Sequence, residues 1–399
     1  SLVFAFSLMV MSWLVFLLLL LARGGRCQEH CSLTELGQLC DAVQGGRADE
    51  VREFISRWKA SSADTLSLET CSGMSPLHLA AAAGQAEVAR ALLREGGAPV
   101  NQRGLDGSTA LMIAVASGGA GAGAVVEVLL QTEGVDVNAK DEDSSTALMI
   151  AAHLGNLAVA DLLLGSDGID VNAQDSIGMP ALTLAAMEGH VEVVRSLLAA
   201  SGVDVNLRAG SGWTALELAA ARGHEAAARL LLGASALDVN ARDNDGNTAL
   251  LQASHKGFAP VVAALLAADG VRVNDQNKLG WSALMSAAAS GHTSTVELLL
   301  SMPNTRVNLE DGEKWTALTH ACARGHLLAV QRLLAAPYLK ADTRAADGKN
   351  AFLLAAERGF SGIVALLAEA EDLDYNVRDA QGWSGLMAAA FKGDSSLVE

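Results

Sequence analysis

Gly212-Trp213-Thr214-Ala215-Leu216-Glu217-Leu218-Ala219-Ala220-Ala221-Arg222-Gly223-His224 is one copy of a stretch that recurs through the chain. The residue in its Thr214 column returns at Ser75, Thr109, Thr146, Pro180, Thr214, Thr248, Ser282, Thr316, Asn350 and Ser384. Successive spacings are 34, 37 and then 34 to the end. A fixed period of this size specifies a stacked array in which each unit is one supersecondary element and neighbours complete its core.

Within a unit the residues read as two short helices and a turn. Thr214 is a helix cap, because its hydroxyl can accept from a free backbone N–H of the first turn. Ala215, Leu216, Leu218, Ala219 and Ala220 give a nearly all-apolar first helix whose alanines permit close approach. Gly223 ends it in the left-handed cap conformation. A second helix is clearest at Val193, Val194, Leu197 and Leu198. A projecting turn follows through Asn101, Asn138, Asn172, Asn206, Asn240, Asn274, Asn308 and Asn376, with Asp342 replacing Asn once. Asn, Asp and Gly at these offsets are turn chemistry, since they tolerate positive φ or bond their own backbone.

A period of 34 also suits tetratricopeptide repeats, but two tyrosines cannot supply that signature in every unit. Ser75-Pro76-Leu77-His78-Leu79-Ala80 resembles the ankyrin signature Thr-Pro-Leu-His-x-Ala instead. The resemblance covers roughly residues 36–399. It implies an all-α solenoid of about ten ankyrin repeats over 71–399, with projecting hairpin-like turns and an incomplete last unit. Residues 27–70 are the Cys-containing linker and a degenerate capping unit, in which Leu36, Leu39, Cys40 and Val43 have helical spacing.

Ahead of the array, Leu2–Ala22 is broken only by Ser7 and Ser12 and is followed by Arg23 and Arg26. As a helix it rises about 30 Å, enough to span a bilayer. Residues 1–26 are therefore expected to be a signal or anchor segment and the only membrane contact. A single-pass anchor with cytosol-facing repeats is the expectation, and a cleaved secretory signal is the alternative. Cys27, Cys31, Cys40 and Cys71 precede the first full unit. They can form two disulfides in an oxidising compartment or remain thiols in the cytosol. Starting at Ser1 and stopping at Glu399 in mid-unit, the sequence reads as a fragment.

The net charge of −17 over 399 residues opposes a nucleic-acid footprint. The run Gly118–Gly123 lacks the Lys-Ser/Thr of a phosphate loop and reads as a flexible helix–helix connection. His190, His224, His292 and His326 each follow a helix-ending Gly, where the resemblance implies a structural hydrogen bond. Neither a metal, a cofactor nor a catalytic constellation is expected, because the candidate residues recur whereas an active site is unique. One column departs from periodicity. Before each cap stand Met74, Ser108, Ser145, Met179, Trp213, Asn247, Trp281, Trp315, Lys349 and Trp383, which holds four of the six tryptophans. In ankyrin arrays this column lies on the concave side. Trp213, Trp281, Trp315 and Trp383, rimmed by Asp245, Lys278, Glu313 and Gln381, are therefore expected to grip a protein or peptide partner. The alternative is a recruitment arm of a larger enzyme or channel whose working domain lies beyond Glu399.

Overall fold

A computed structural model describes residues 33–61, 74–119, 121–370 and 372–392. Among them are twenty-one α-helices and no strands. The chain divides into two compact units. One comprises residues up to 176 with 199–203, and the other comprises 177–198 with 204–399. The Leu2–Ala22 stretch and Cys27, Cys31 and Cys71 lie outside the described residues. Among those described, no helix is long and apolar enough to cross a membrane. Cys40 is half-buried on the helix Leu33–Gln44.

The first compact unit opens with Leu33–Gln44 and Ala48–Ser61, the degenerate pair expected from sequence. Its second helix carries an Arg52–Asp49 ion pair, and Arg47 just before it pairs with Glu50, on a polar surface. Three regular pairs follow: Pro76–Ala82 with Ala86–Arg94, Ala110–Ser117 with Ala122–Leu130, and Ala147–Leu154 with Leu157–Leu164. Within the glycine run Gly118–Gly123, Gly118, Gly119 and Gly123 have open space around them, whereas Gly121 is a close approach. A Cβ on Gly121 would overlap the carbonyl oxygen of Gly84, so the backbones of consecutive units meet there directly.

The second compact unit repeats the motif from Ala181–Glu188 through Ala351–Arg358 with Ser361–Leu367, and ends on Gly385–Lys392. Each first helix begins as its sequence dictates. The Thr214 hydroxyl accepts from the Glu217 N–H, and Gly223 closes the helix at φ 79°. Pro180 alone has no side chain able to accept a capping bond. Ala215, Leu216, Ala219 and Ala220 are buried, and Ala227, Ala228 and Leu231 meet them from the second helix. Removing each Leu-sized side chain from water contributes roughly 1.5–3 kcal/mol before entropy is subtracted.

The Asn column works differently from a self-bonded turn. Asn206 Nδ2 donates to the Ala236 carbonyl at 2.7 Å, and its Oδ1 accepts from the Asp238 N–H at 2.8 Å. Asn240, Asn274 and Asn308 reach the following unit in the same way. An amide has both a donor and an acceptor, so one side chain bridges two backbone groups thirty-odd residues on. Asp342 has only acceptors and keeps the N–H half, at 3.3 Å from the Asp374 nitrogen. The projecting turns are joined edge to edge by backbone bonds: Gly210 to Ile177, Asn244 to Ser211, Lys278 to Asp245, Gly312 to Leu279, Ala346 to Glu313 and Ala380 to Asp347. Strand pairing is limited to isolated bridges such as Gln276 with Ser282.

Candidate functional site

Around Trp281 and Trp315 the residue before the cap and polar side chains of the helix Ala317–Arg324 share one face, as direct contacts show. His320, on Ala317–Arg324, lies between two tryptophans, with ring centroids 4.3 Å from Trp281 and 5.1 Å from Trp315. The Arg324 guanidinium sits over the Trp281 ring at 5.3 Å, within cation–π range. It also donates to the Ala289 carbonyl at 3.1 Å, which fixes its position.

The tryptophans are held by their turns. Asp311 Oδ1 accepts from the backbone N–H groups of Glu313 and Trp315, at 2.9 and 2.8 Å. Its other oxygen is 2.8 Å from His320 Nε2. Burial pulls the imidazole below its usual range, against the raising influence of Asp311. His320 is thus neutral at pH 7, with Nε2–H donating to Asp311. The aromatic set Trp281–His320–Trp315 is thereby pinned at its centre by a buried carboxylate. The same device appears two units back, where Asp243 accepts from the Asp245 and Asn247 nitrogens and from Gln252 Nε2.

The four expected tryptophans do not form one continuous surface. Trp281 and Trp315 are brought together through His320, and both are half-buried. Trp213 is separated from them by the unit carrying Asn247. Trp383 stands beyond the unit carrying Lys349, is 39% exposed, and packs edge-on against Phe391 at 5.5 Å. Lys349 is itself held by Glu357 at 2.9 Å. The rim residues Asp245, Lys278, Glu313 and Gln381 are all exposed on the turns, and Lys278 bonds the Asp245 carbonyl.

His320, Asp311 and Arg324 were not singled out by sequence. The signal was present as a polar residue nine positions after a turn Asp, shared with Gln252, in a column that holds Leu79, Ile113, Ile150, Leu184, Leu218 and Leu354 in other units and Ser286 and Ala388 in the remaining two. Three other histidines make structural bonds between units. His224, His292 and His326 place Nε2 at 3.0, 3.1 and 3.1 Å from the carbonyls of Met187, His255 and Ala289 in the preceding units. Among the described residues no group of three His, Cys, Asp or Glu side chains could hold a metal ion.

A family model of ankyrin repeats in three copies matches overlapping segments of the chain. These are 14–141, 97–175, 118–209, 148–243, 182–277, 250–347 and 294–379. The chain belongs to the ankyrin-repeat family. A search of curated proteins found no match. Ankyrin repeats are generally protein–protein interaction modules, and proteins built from them are typically non-catalytic. Against this ankyrin frame, the residues particular to this chain are those that depart from the repeat. They are the tryptophan column and His320, which with the recurring turn carboxylate of Asp311 fixes Trp281 and Trp315.

Proposed function

We propose that this chain is an interaction scaffold that binds a protein or peptide partner on the face bearing Trp281, His320, Trp315 and Arg324, without catalysis. The observation that carries this reading is the pinned aromatic set. Rigid aromatic and arginine side chains with little conformational freedom left to lose make strong anchors, because binding them costs little entropy. Trp213 and Trp383 extend the contact on either side, with Asp245, Lys278, Glu313 and Gln381 as its rim. Fold alone does not name a partner, and the recruitment arm of a larger enzyme or channel would use the same face.

Site-specific photo-crosslinking tests the proposal. A crosslinker at Glu313 should capture a discrete partner, and the same group at Glu192, on the second helix of another unit, should not. Trp281→Ala with Trp315→Ala should abolish the Glu313 product. Equal capture from both positions, or capture unchanged by the double substitution, sinks the reading. We further propose attachment through residues 2–22 with the repeats facing the cytosol. Protection of the repeats from protease in intact microsomes would place them in the lumen instead.

A further inference from the structure

Eight positions after each cap, at the end of each first helix, the chain carries Ala83, Ser117, Leu154, Glu188, Arg222, Lys256, Ser290, Arg324, Arg358 and Lys392. From Arg222 onward every member except Ser290 is a cation, in a protein of net charge −17. Arg222, Lys256, Arg324 and Arg358 are exposed, and none of the four forms an ion pair among the described residues. Five other arginines of the same compact unit are neutralised locally, Arg195 by Glu192, Arg229 by Glu225, Arg242 by Asp275, Arg332 by Glu297 and Arg344 by Asp374, whereas Arg378 bonds the Gly382 carbonyl of its own turn. A cation in the last turn of a helix is favoured by the helix dipole. That cause would act equally at Ala83, Ser117, Leu154 and Glu188, where the column is small, apolar or acidic, so it does not explain the run.

At Arg324, which lies over Trp281, the cationic column meets the tryptophan column. We infer that the partner docked on this face is an extended acidic peptide whose carboxylates meet Arg222, Lys256, Arg324 and Arg358 in turn. The inference rests on the interaction reading above and adds the chemistry of the partner. Neighbouring helices pack about 8–10 Å apart, and an extended chain rises about 3.3 Å per residue. One acidic residue in every three therefore keeps step with the units. Opposite Ser290 the acid is dispensable, and Ser290 belongs to the unit that begins with Trp281, so an apolar residue fits there. Arginine suits the task because its planar fork pairs with a carboxylate through two hydrogen bonds. A nucleic acid is the poorer occupant. The exposed carboxylates of Asp245 and Glu313 on the turns would repel a continuous phosphate backbone, whereas a peptide places charge only where it is matched.

The test uses the full chain and a fluorescein-labelled extended peptide with Glu at every third position and Leu at the middle one. Its Gln and Lys counterparts and a single-stranded oligonucleotide serve as comparisons, all read by fluorescence anisotropy. The acidic peptide should bind at least tenfold more tightly than the Gln form, and raising the salt should weaken it severalfold. Arg222→Glu, Lys256→Glu, Arg324→Glu and Arg358→Glu together should abolish that binding and admit the Lys peptide. This charge reversal shows that the variant is folded. Equal binding of the Glu and Gln peptides overturns the inference, as does tighter binding of the oligonucleotide. So does a fourfold variant that binds neither peptide while keeping its helical circular dichroism. If the acidic peptide fails while the Glu313 crosslink still depends on Trp281 and Trp315, the scaffold reading stands and the acidic partner falls. Loss of both overturns both.

Discussion

Glu217 is 1% exposed, at the third position of the helix Ala215–Arg222. Its Oε2 accepts from the Thr214 N–H at 2.7 Å and the Thr214 hydroxyl at 3.0 Å. Its Oε1 is buried with no hydrogen-bond partner among the described residues. His78, in the same column of the first regular repeat, bonds the cap in a similar way and reaches on to the Gln102 carbonyl at 3.0 Å. Glu217 thus combines a useful cap bond with an uncompensated oxygen, and burial pushes its carboxyl from 4.5 up to about 7. The folded protein therefore holds this proton more tightly than the unfolded chain. The contribution is fully present below pH 4.5 and is lost as pH rises to about 7. At about 1.4 kcal/mol per pH unit the loss is roughly 3 kcal/mol.

Glu217→Gln keeps the acceptor for Thr214 and cannot ionise. Its amide donors impose a constant cost, so the slope of the difference is the test and not its intercept. Long arrays need not unfold in one step, which favours a local readout. Hydrogen exchange of the peptide spanning residues 214–222 should be compared between variant and wild type at the same pH, so that intrinsic rates cancel. The variant should gain protection relative to wild type by a factor on the order of 100 between pH 4.5 and 8. His78, His255 and His320 are all held below their usual range by burial, and each costs stability as pH falls below 6.5. These histidines are common to both proteins and drop out. A difference that does not change with pH refutes the reasoning.

Ser254 occupies a column filled by Ala220, Ala288 and Cys322, and its buried hydroxyl has no partner among the described residues. Ser254→Ala should stabilise the array by about 1 kcal/mol in urea unfolding. Lys314 stands where other turns have glycine and holds φ 62°, so Lys314→Gly should raise the urea midpoint by an amount equal to roughly 0.5–1 kcal/mol. Asn240→Ala removes both bridges to the next turn, to the Gly270 carbonyl and from the Arg272 N–H. It should cost about 1–3 kcal/mol and expose the 270–275 segment to faster hydrogen exchange, while Asn240→Asp should restore only the acceptor half.

The periodic part of the molecule was legible because one physical problem is solved ten times. Thr214, Gly223 and the alanines between them state a capped, terminated, close-packed helix, and repetition turns a weak local signal into a specific one. The Asn column was legible in position but not in use. Its side chains satisfy backbone groups in the next unit, and no single-unit reading of turn chemistry could show that. Gly121 was read as mobile because a glycine run looks the same whether it serves flexibility or close approach. Only its contact with Gly84 separates the two.

The site was half legible for a related reason. Trp281 and Trp315 were found as departures in one column, but what joins them is a departure in a second column, His320, aimed at a third, Asp311. Reading each column separately finds anchors and misses the groups that orient them. In a stacked array a face is built by residues about 34 apart, so coupling between columns is long-range in sequence even though it is nearest-neighbour in space. Asp311 meets backbone bonding needs with one oxygen, which leaves the other to specify a side chain nine residues on. That spare oxygen is where the fixed frame admits variation: it takes Gln252 at Asp243 and His320 at Asp311. Stability here is set by what every repeat shares, and on the proposed reading recognition is set by which side chain each turn carboxylate holds.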